Sequence, residues 1–246
     1  MGEIISFVSG KGGVGKTTLC ANIAFALASL GKNVIAIDGD LGLKNLDIIL
    51  GLENKSVFDL FDILENRCAV NKAIIVHDVM KNLHFIPASQ SASENDLDKS
   101  KFRKLCNYLR EHYDYVLIDA PAGVGVGFLN CIYCCDRSIV VSTPDLTSIR
   151  DAQKAAMILA QNNKRANLII NKVRPSFMKR GFVQNIDEIL DTVSIKLLGI
   201  VPDDENIIIY SNQKGIIIRS KSLSVPAFKN IAKRLSGEET KLYRFW

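Results

Sequence analysis

The chain has 246 residues, 48% apolar, 23% charged and 7% aromatic, and its 31 Lys and Arg against 26 Asp and Glu leave a net charge of +5. That mixture excludes a disordered tail protein, a collagen and a disulfide miniprotein, and no apolar run reaches the ~18 residues of a membrane span. No basic stretch followed by a long apolar stretch opens the chain, so a cytoplasmic protein is expected, with a charge that suits an anionic surface without naming one.

The first predicted strand, 4–9, runs straight into a glycine-rich segment. A helix then follows in which Leu19, Ile23, Leu27 and Leu30 recur at helical spacing up to Gly31, a natural stop. Further strands are expected at 33–38, 83–87, 115–119, 138–143, 167–171 and 197–201. Ser56-x-x-Asp59 reads as a capping box ahead of Leu60, Phe61 and Leu64. Other helices are expected at 99–111, 148–161, 183–192 and 226–235. Most strands lack polar alternation, as parallel strands covered on both faces do. The pattern predicts an α/β fold with a doubly wound, mostly parallel sheet and helices on both faces. Without repeat, low-complexity tract or linker, residues 1–240 read as one domain, followed by a short basic and aromatic tail at 241–246.

Gly10-Lys11-Gly12-Gly13-Val14-Gly15-Lys16-Thr17-Thr18 satisfies G-x-x-x-x-G-K-[ST] between a predicted strand and a predicted helix, the context of a phosphate-binding P-loop. Glycines let backbone N–H groups curl around phosphate oxygens, and the helix N-terminus adds its positive dipole end. Lys16 supplies a compact charge for the β- and γ-phosphates, and the Thr17 hydroxyl can ligate Mg²⁺. Tyr115-Val-Leu-Ile-Asp119 is an apolar strand ending in a carboxylate, the Walker B arrangement, which reaches the Mg²⁺ shell through water. Asp38-Gly39-Asp40 ends the second strand at the same edge, and one of its carboxylates can orient a water against the γ-phosphate.

The six cysteines include Cys131-x-x-Cys134-Cys135, which has metal-ligand spacing but no second pair or nearby His. Apolar core filling is the simpler reading, and a cluster bridging two subunits is the other.

Lys11 directly after the first glycine, in KGGVGKTT, resembles the deviant Walker A signature of the MinD/ParA ATPases. Asp38-Gly-Asp40-Leu-Gly-Leu-Lys44-Asn45-Leu-Asp47 is similar to the switch I segment of the MinD type, Phe85-Ile-Pro87-Ala-Ser89-Gln90 to its I/L-P-A-S-Q stretch, and Asp119-Ala-Pro121-Ala-Gly123 to its switch II. Segment order matches over about residues 1–240. The resemblance implies an ATP-dependent homodimer that hydrolyses ATP to ADP and phosphate in division-site selection. Lys11, which a plain phosphate loop does not need within its own chain, would cross to the partner's phosphate. Lys16, Thr17 and Thr18 would hold phosphate and Mg²⁺, Asp38 and Asp119 would complete the metal's outer shell, and Asp40 would position the attacking water. Asn171 matches the adenine-binding asparagine, and Pro202 and Asp204 the backbone segment around the base. A guanine reader of the N-K-x-D type would want Asp at position 174, where Arg174 stands.

The family's R-D-x-D-R helix, used for MinC- or MinE-like partners, keeps only its first half here, in Arg150-Asp151-Ala152-Gln153-Lys154. MinD-type chains also carry a basic amphipathic C-terminal helix that binds anionic membrane. Here Lys241, Leu242, Tyr243, Arg244, Phe245 and Trp246 offer a shallow headgroup anchor or, equally, aromatics that pack back onto the domain. Relatives that regulate flagellar number or partition chromosomes would share the catalytic residues. The partition reading asks for a basic face, with Lys179, Arg180, Lys229, Lys233 and Arg234 as candidates; nucleic acid is not expected as a partner. An iron–sulfur carrier of nitrogenase-iron-protein type would bear CxxC between Asn171 and Gly199, where there is no cysteine. A biosynthetic ligase on the same fold would not need Lys11.

Overall fold

Runs of Ile, Val and Leu without polar alternation have no wet face to offer. The computed structural model, which describes residues 1–41, 45–89, 92–93, 95–181, 184–212 and 217–245, buries them on both faces. The elements follow in the order β1 (Glu3–Ser9), α1 (Lys16–Ser29), β2 (Val34–Asp38), α2 (Leu46–Leu50), α3 (Leu60–Leu64), α4 (Val70–Ala73), β3 (Ile75–Val76) and β4 (Leu83–Ile86). Then come α5 (Lys99–Leu109), β5 (Tyr115–Ala122), α6 (Val126–Cys134), β6 (Arg137–Ser142), α7 (Leu146–Gln161) and β7 (Arg165–Val173). The last are α8 (Pro175–Lys179), α9 (Ile186–Val193), β8 (Lys196–Pro202), α10 (Asn206–Asn212) and α11 (Val225–Leu235). Among the described residues the strands form one sheet in the order β3-β4-β2-β5-β1-β6-β7-β8, parallel except for β3 against β4. The expected doubly wound α/β architecture is present.

The sheet separates two cores. One is built with α3, α5, α6, α7 and α9, the other with α1, α2 and α11. β1 lies between β5 and β6, so crossovers leave it in both directions and the loop after it sits at the topological switch point, where such sheets bind ligands. Among the described residues no helix is long and apolar enough to cross a membrane.

Several expectations change in the fold. The β3 edge pairing was not foreseen, because two residues are too short to show a period. α1 is not amphipathic: Leu19 to Ala28 is buried without a break, since α2 and α11 cover the side turned from the sheet, while Leu30 is exposed. The capping box of α3 starts at Asp59, not Ser56. Asp59 accepts from the N–H groups of Phe61 and Asp62, Asp62 accepts from Asp59 N at 3.1 Å, and Ser56 folds onto Phe58 instead. The cysteines of α6 are core filler. Cys131, Cys134 and Cys135 are buried together with Cys106 in one core.

The tail takes the second of its two readings. Leu242 and Phe245 pack on one core and Tyr243 on the other, so the segment wraps the β8 side of the sheet. α11 ties down its backbone: Asn230 Nδ2 donates to Lys241 O at 2.9 Å, Arg234 Nη1 to Thr240 O at 2.8 Å, and Tyr243 N to Asn230 Oδ1 at 3.3 Å. Trp246 lies outside the described residues, as do Gly42, Leu43, Lys44 and Gln90 of the segments read above.

Candidate functional site

Residues Gly10 to Gly15 link β1 to α1 at the switch point. Gly13 and Gly15 have φ of 79° and 90°, the left-handed region that favours glycine. Gly15 is the N-cap of α1 and carries no side-chain cap, so the first N–H groups of the helix stay available to an anion. A Cβ on Gly15 would lie 2.4 Å from Asn171 Nδ2, a second reason for glycine there.

Behind the loop lies a cluster of buried charge. Lys16 Nζ donates to Asp119 Oδ1 at 2.7 Å, with the two side chains 6% and 1% exposed. Burial by itself would lower the Lys16 pKa, but the adjacent Asp119 carboxylate outweighs it and holds the ammonium above the ordinary lysine range. Asp38 and Asp119 are register partners on neighbouring parallel strands. Burial first, and the Asp119 charge second, push the Asp38 carboxyl up to about 7, against hydrogen bonds from the N–H groups of Leu46 and Asp40. Asp119 Oδ2 is buried without a hydrogen-bond partner among the described residues. An orphaned carboxylate oxygen beside a second carboxylate, with Thr17 next in sequence to Lys16 on the cleft wall, supplies hard oxygen donors that fit Mg²⁺.

A cleft of about 940 Å³ opens over the loop. Gly12 to Thr18 and Asp40 line one part of it, and Asn171, Pro202, Asp204 and Ile207 the other. Asn171 is buried, and its Nδ2 donates to Val14 O at 2.8 Å while its Oδ1 has no partner among the described residues. Asp204 spends its carboxylate internally. It accepts from Ser224 N at 2.9 Å, Ser224 Oγ at 2.8 Å, Ser222 Oγ, and Asn206 N at 3.1 Å. Burial would raise its pKa, but these donors hold it below the usual carboxylate range. The Asp204 carboxylate is thus turned to donors of its own chain.

Lys11 also makes contacts within its own chain. Its Nζ donates to Thr147 Oγ1 at 2.9 Å and lies 3.6 Å from Asp145 Oδ1, the N-cap of α7. Burial would raise the Asp145 pKa, but the hydroxyls of Thr143 and Thr147, Ser148 N–H and Lys11 bring it down to about 2. Of the basic candidates, Arg234 is consumed by the carbonyls of Thr240 and Leu197, and Lys233 lies 3.7 Å from Glu238. Lys179, Arg180 and Lys229 are exposed.

The sequence reading missed Lys172, Asp203, Glu205 and Ile207 to Ile209 as cleft residues. Arg174, noted only as the wrong residue for guanine, ion-pairs with Asp203 and lies 5.4 Å over the Phe177 ring. Lys172 was legible as the neighbour of Asn171, but nothing local showed that it turns to the loop.

A family model described as "AAA domain" matches residues 2–172. The septum site-determining protein MinD of Helicobacter pylori is 42% identical over 253 aligned positions, covering 100% of this chain and 94% of its own length. Among solved structures, the MinD of a MinC:MinD cell division complex from Aquifex aeolicus superposes with a TM-score of 0.93 at 37% identity, over 99% of this chain and 100% of the other. MinD from Pyrococcus horikoshii, complexed with Mg-ADP, gives 0.86 at 28% identity, over 96% of each.

Proposed function

The chain belongs to the MinD family of ParA/MinD P-loop ATPases, and from that membership we propose a division-site switch that dimerises on ATP and hydrolyses it to ADP and phosphate. One observation carries the reading: two orphaned buried oxygens, Asp119 Oδ2 and Asn171 Oδ1, flank one phosphate loop. β5 and β7 are three strand spacings apart, about 14 Å, close to the span of ATP from base to terminal phosphate. Asp119 asks for a cation and Asn171 for a donor such as the adenine amine.

Residues 1–240 work as one ATPase unit with the tail lying against it. Gly10, Lys11, Gly12, Gly13, Val14, Gly15, Lys16, Thr17 and Thr18 receive the phosphates, while Asn171 and the backbone at Pro202 and Asp204 receive the base. Thr17, Asp38 and Asp119 hold Mg²⁺, which when bound neutralises phosphate charge. Lys16 stays protonated through Asp119 and stabilises charge developing on the transferred group. Asp40, at the mouth of the cleft, orients the attacking water. Lys11 leaves Asp145 and Thr147 for the partner's phosphate when two subunits close.

A MinC-like protein and a cytoplasmic location with an anionic membrane surface complete the reading. For the tail to touch lipid, it must first leave α11. Light scattering and phosphate release test the switch. Lys11→Ala should keep ATP binding and lose ATP-induced dimers and turnover, whereas Asp40→Ala should still dimerise and turn over at least about a hundredfold more slowly. ATP-induced dimers of the Lys11 variant would remove the trans-acting lysine.

A further inference from the structure

β7 does not end as a regular strand. Ile170 pairs with Ile200 and Val173 with Pro202, so one extra residue is fitted into β7, and Lys172 takes it up with a φ of 54°. In an undistorted strand Asn171 and Lys172 would point to opposite faces. Here both reach the phosphate loop: Asn171 Nδ2 donates to Val14 O, and Lys172 Nζ donates to Gly13 O, each at 2.8 Å. Successive residues of β7 thus hold successive carbonyls of the loop, 157 and 159 residues away along the chain.

The consequence follows from the planar trans peptide, in which the C=O and N–H of one unit point opposite ways. Holding the Gly13 carbonyl turns the Val14 N–H away from β7, and holding the Val14 carbonyl does the same to the Gly15 N–H. We propose that Asn171 and Lys172 act as a clamp that sets these two peptide units, so that Val14 and Gly15 present their N–H groups to a polyphosphate. Lys172 is then a positioning residue for the phosphate chain and not for the base. Asn171 couples the two halves of the ligand, with its amide nitrogen on the loop and its oxygen left for the base. The proposal rests on the nucleotide-site reading above.

Calorimetric titration of the full chain with Mg-ATP, Mg-GTP and inorganic tripolyphosphate tests it, using wild type, Lys172→Met, Lys172→Gly and Lys172→Arg. Lys172→Met should weaken all three ligands by one common factor of about ten, the scale of one charge-assisted hydrogen bond. The factor should persist between about 0.1 M and about 0.5 M salt, because a direct contact is screened little. Lys172→Gly removes the backbone strain together with the amine. Its ligand-free melting temperature should therefore match or exceed wild type while the tenfold loss remains, and Lys172→Arg should regain most of the affinity. A loss that disappears at high salt would reduce Lys172 to a general charge, and a loss confined to ATP would make it a base contact; either overturns the clamp. Equal tripolyphosphate binding by wild type and Lys172→Gly overturns it as well. A wild type that binds none of the three ligands overturns the nucleotide reading and the clamp with it.

Discussion

The two sides of the cleft are built on opposite principles. On the side of β2 and β5, Lys16, Asp38 and Asp119 are buried charges whose partners do not balance, with two carboxylates beside one ammonium and one carboxylate oxygen left bare. On the side of β7 and β8, the bare oxygen, Asn171 Oδ1, belongs to a neutral amide, and the carboxylate of Asp204 is saturated by Ser222, Ser224 and Asn206. A buried charge without full compensation costs stability until something neutralises it, whereas a satisfied polar network holds shape whether or not a ligand is bound. The phosphate side is therefore electrostatically incomplete by itself, and the base side is largely preformed.

The sharpest way to break this contrast is to remove the ammonium. Lys16→Met leaves Asp119 buried and unpaired, so the ligand-free protein should lose about 3 kcal/mol in urea unfolding at pH 8 and bind ATP at least about a hundredfold more weakly. Unchanged unfolding would mean that the carboxylates are less confined than their burial indicates.

Next comes Asp38. Its folded pKa of about 7 stands above the ~3.9 of an unfolded carboxyl, so between those values the native state holds the extra proton. Stability without nucleotide or Mg²⁺ should therefore fall as pH rises from about 4 to about 7 and level off above. Asp38→Asn should show no such fall and should exceed wild type at pH 8 by on the order of 2–4 kcal/mol. Urea midpoints across pH read this directly, and a wild-type midpoint that climbs between pH 5 and 7 would contradict it.

The base side should respond in another way. Asp204→Ala strips the acceptor from Ser222 and Ser224 and should cost about 2 kcal/mol, independent of pH above about 5. A pH-dependent cost in that range would show that this carboxylate is not saturated. Asn171→Ala should have the smallest effect on folding, yet it should weaken ATP about tenfold and narrow the preference for ATP over GTP. Competition in which wild type takes ATP and GTP equally would remove Asn171 as the base reader.

How much of this was legible in the chain depended on distance along it. Gly10 to Thr18 was readable because every requirement is local: glycines at left-handed positions, a lysine one residue into a helix, a hydroxyl beside it. Asp119 was readable as the end of an apolar run. The short helices α2, α4, α8 and α10 were not, since none is long enough to display a helical period. α1 misled in the other direction, because its leucines fit a stripe while burial on the far side came from α11, about two hundred residues later.

The amino-acid order by itself determined the parallel sheet, the phosphate loop, and the chemical kinds of residue that meet at the carboxyl edge, because each follows from spacing within one element. Only the tertiary structure decided how those residues are spent. It put Lys11 on Asp145 and Thr147, closed Asp204 upon serines, laid the tail along α11, and turned Asn171 and Lys172 together onto the loop through one extra residue in β7. Those outcomes rest on hydrogen bonds between groups far apart in sequence. Their geometry exists only after the strands have been placed side by side.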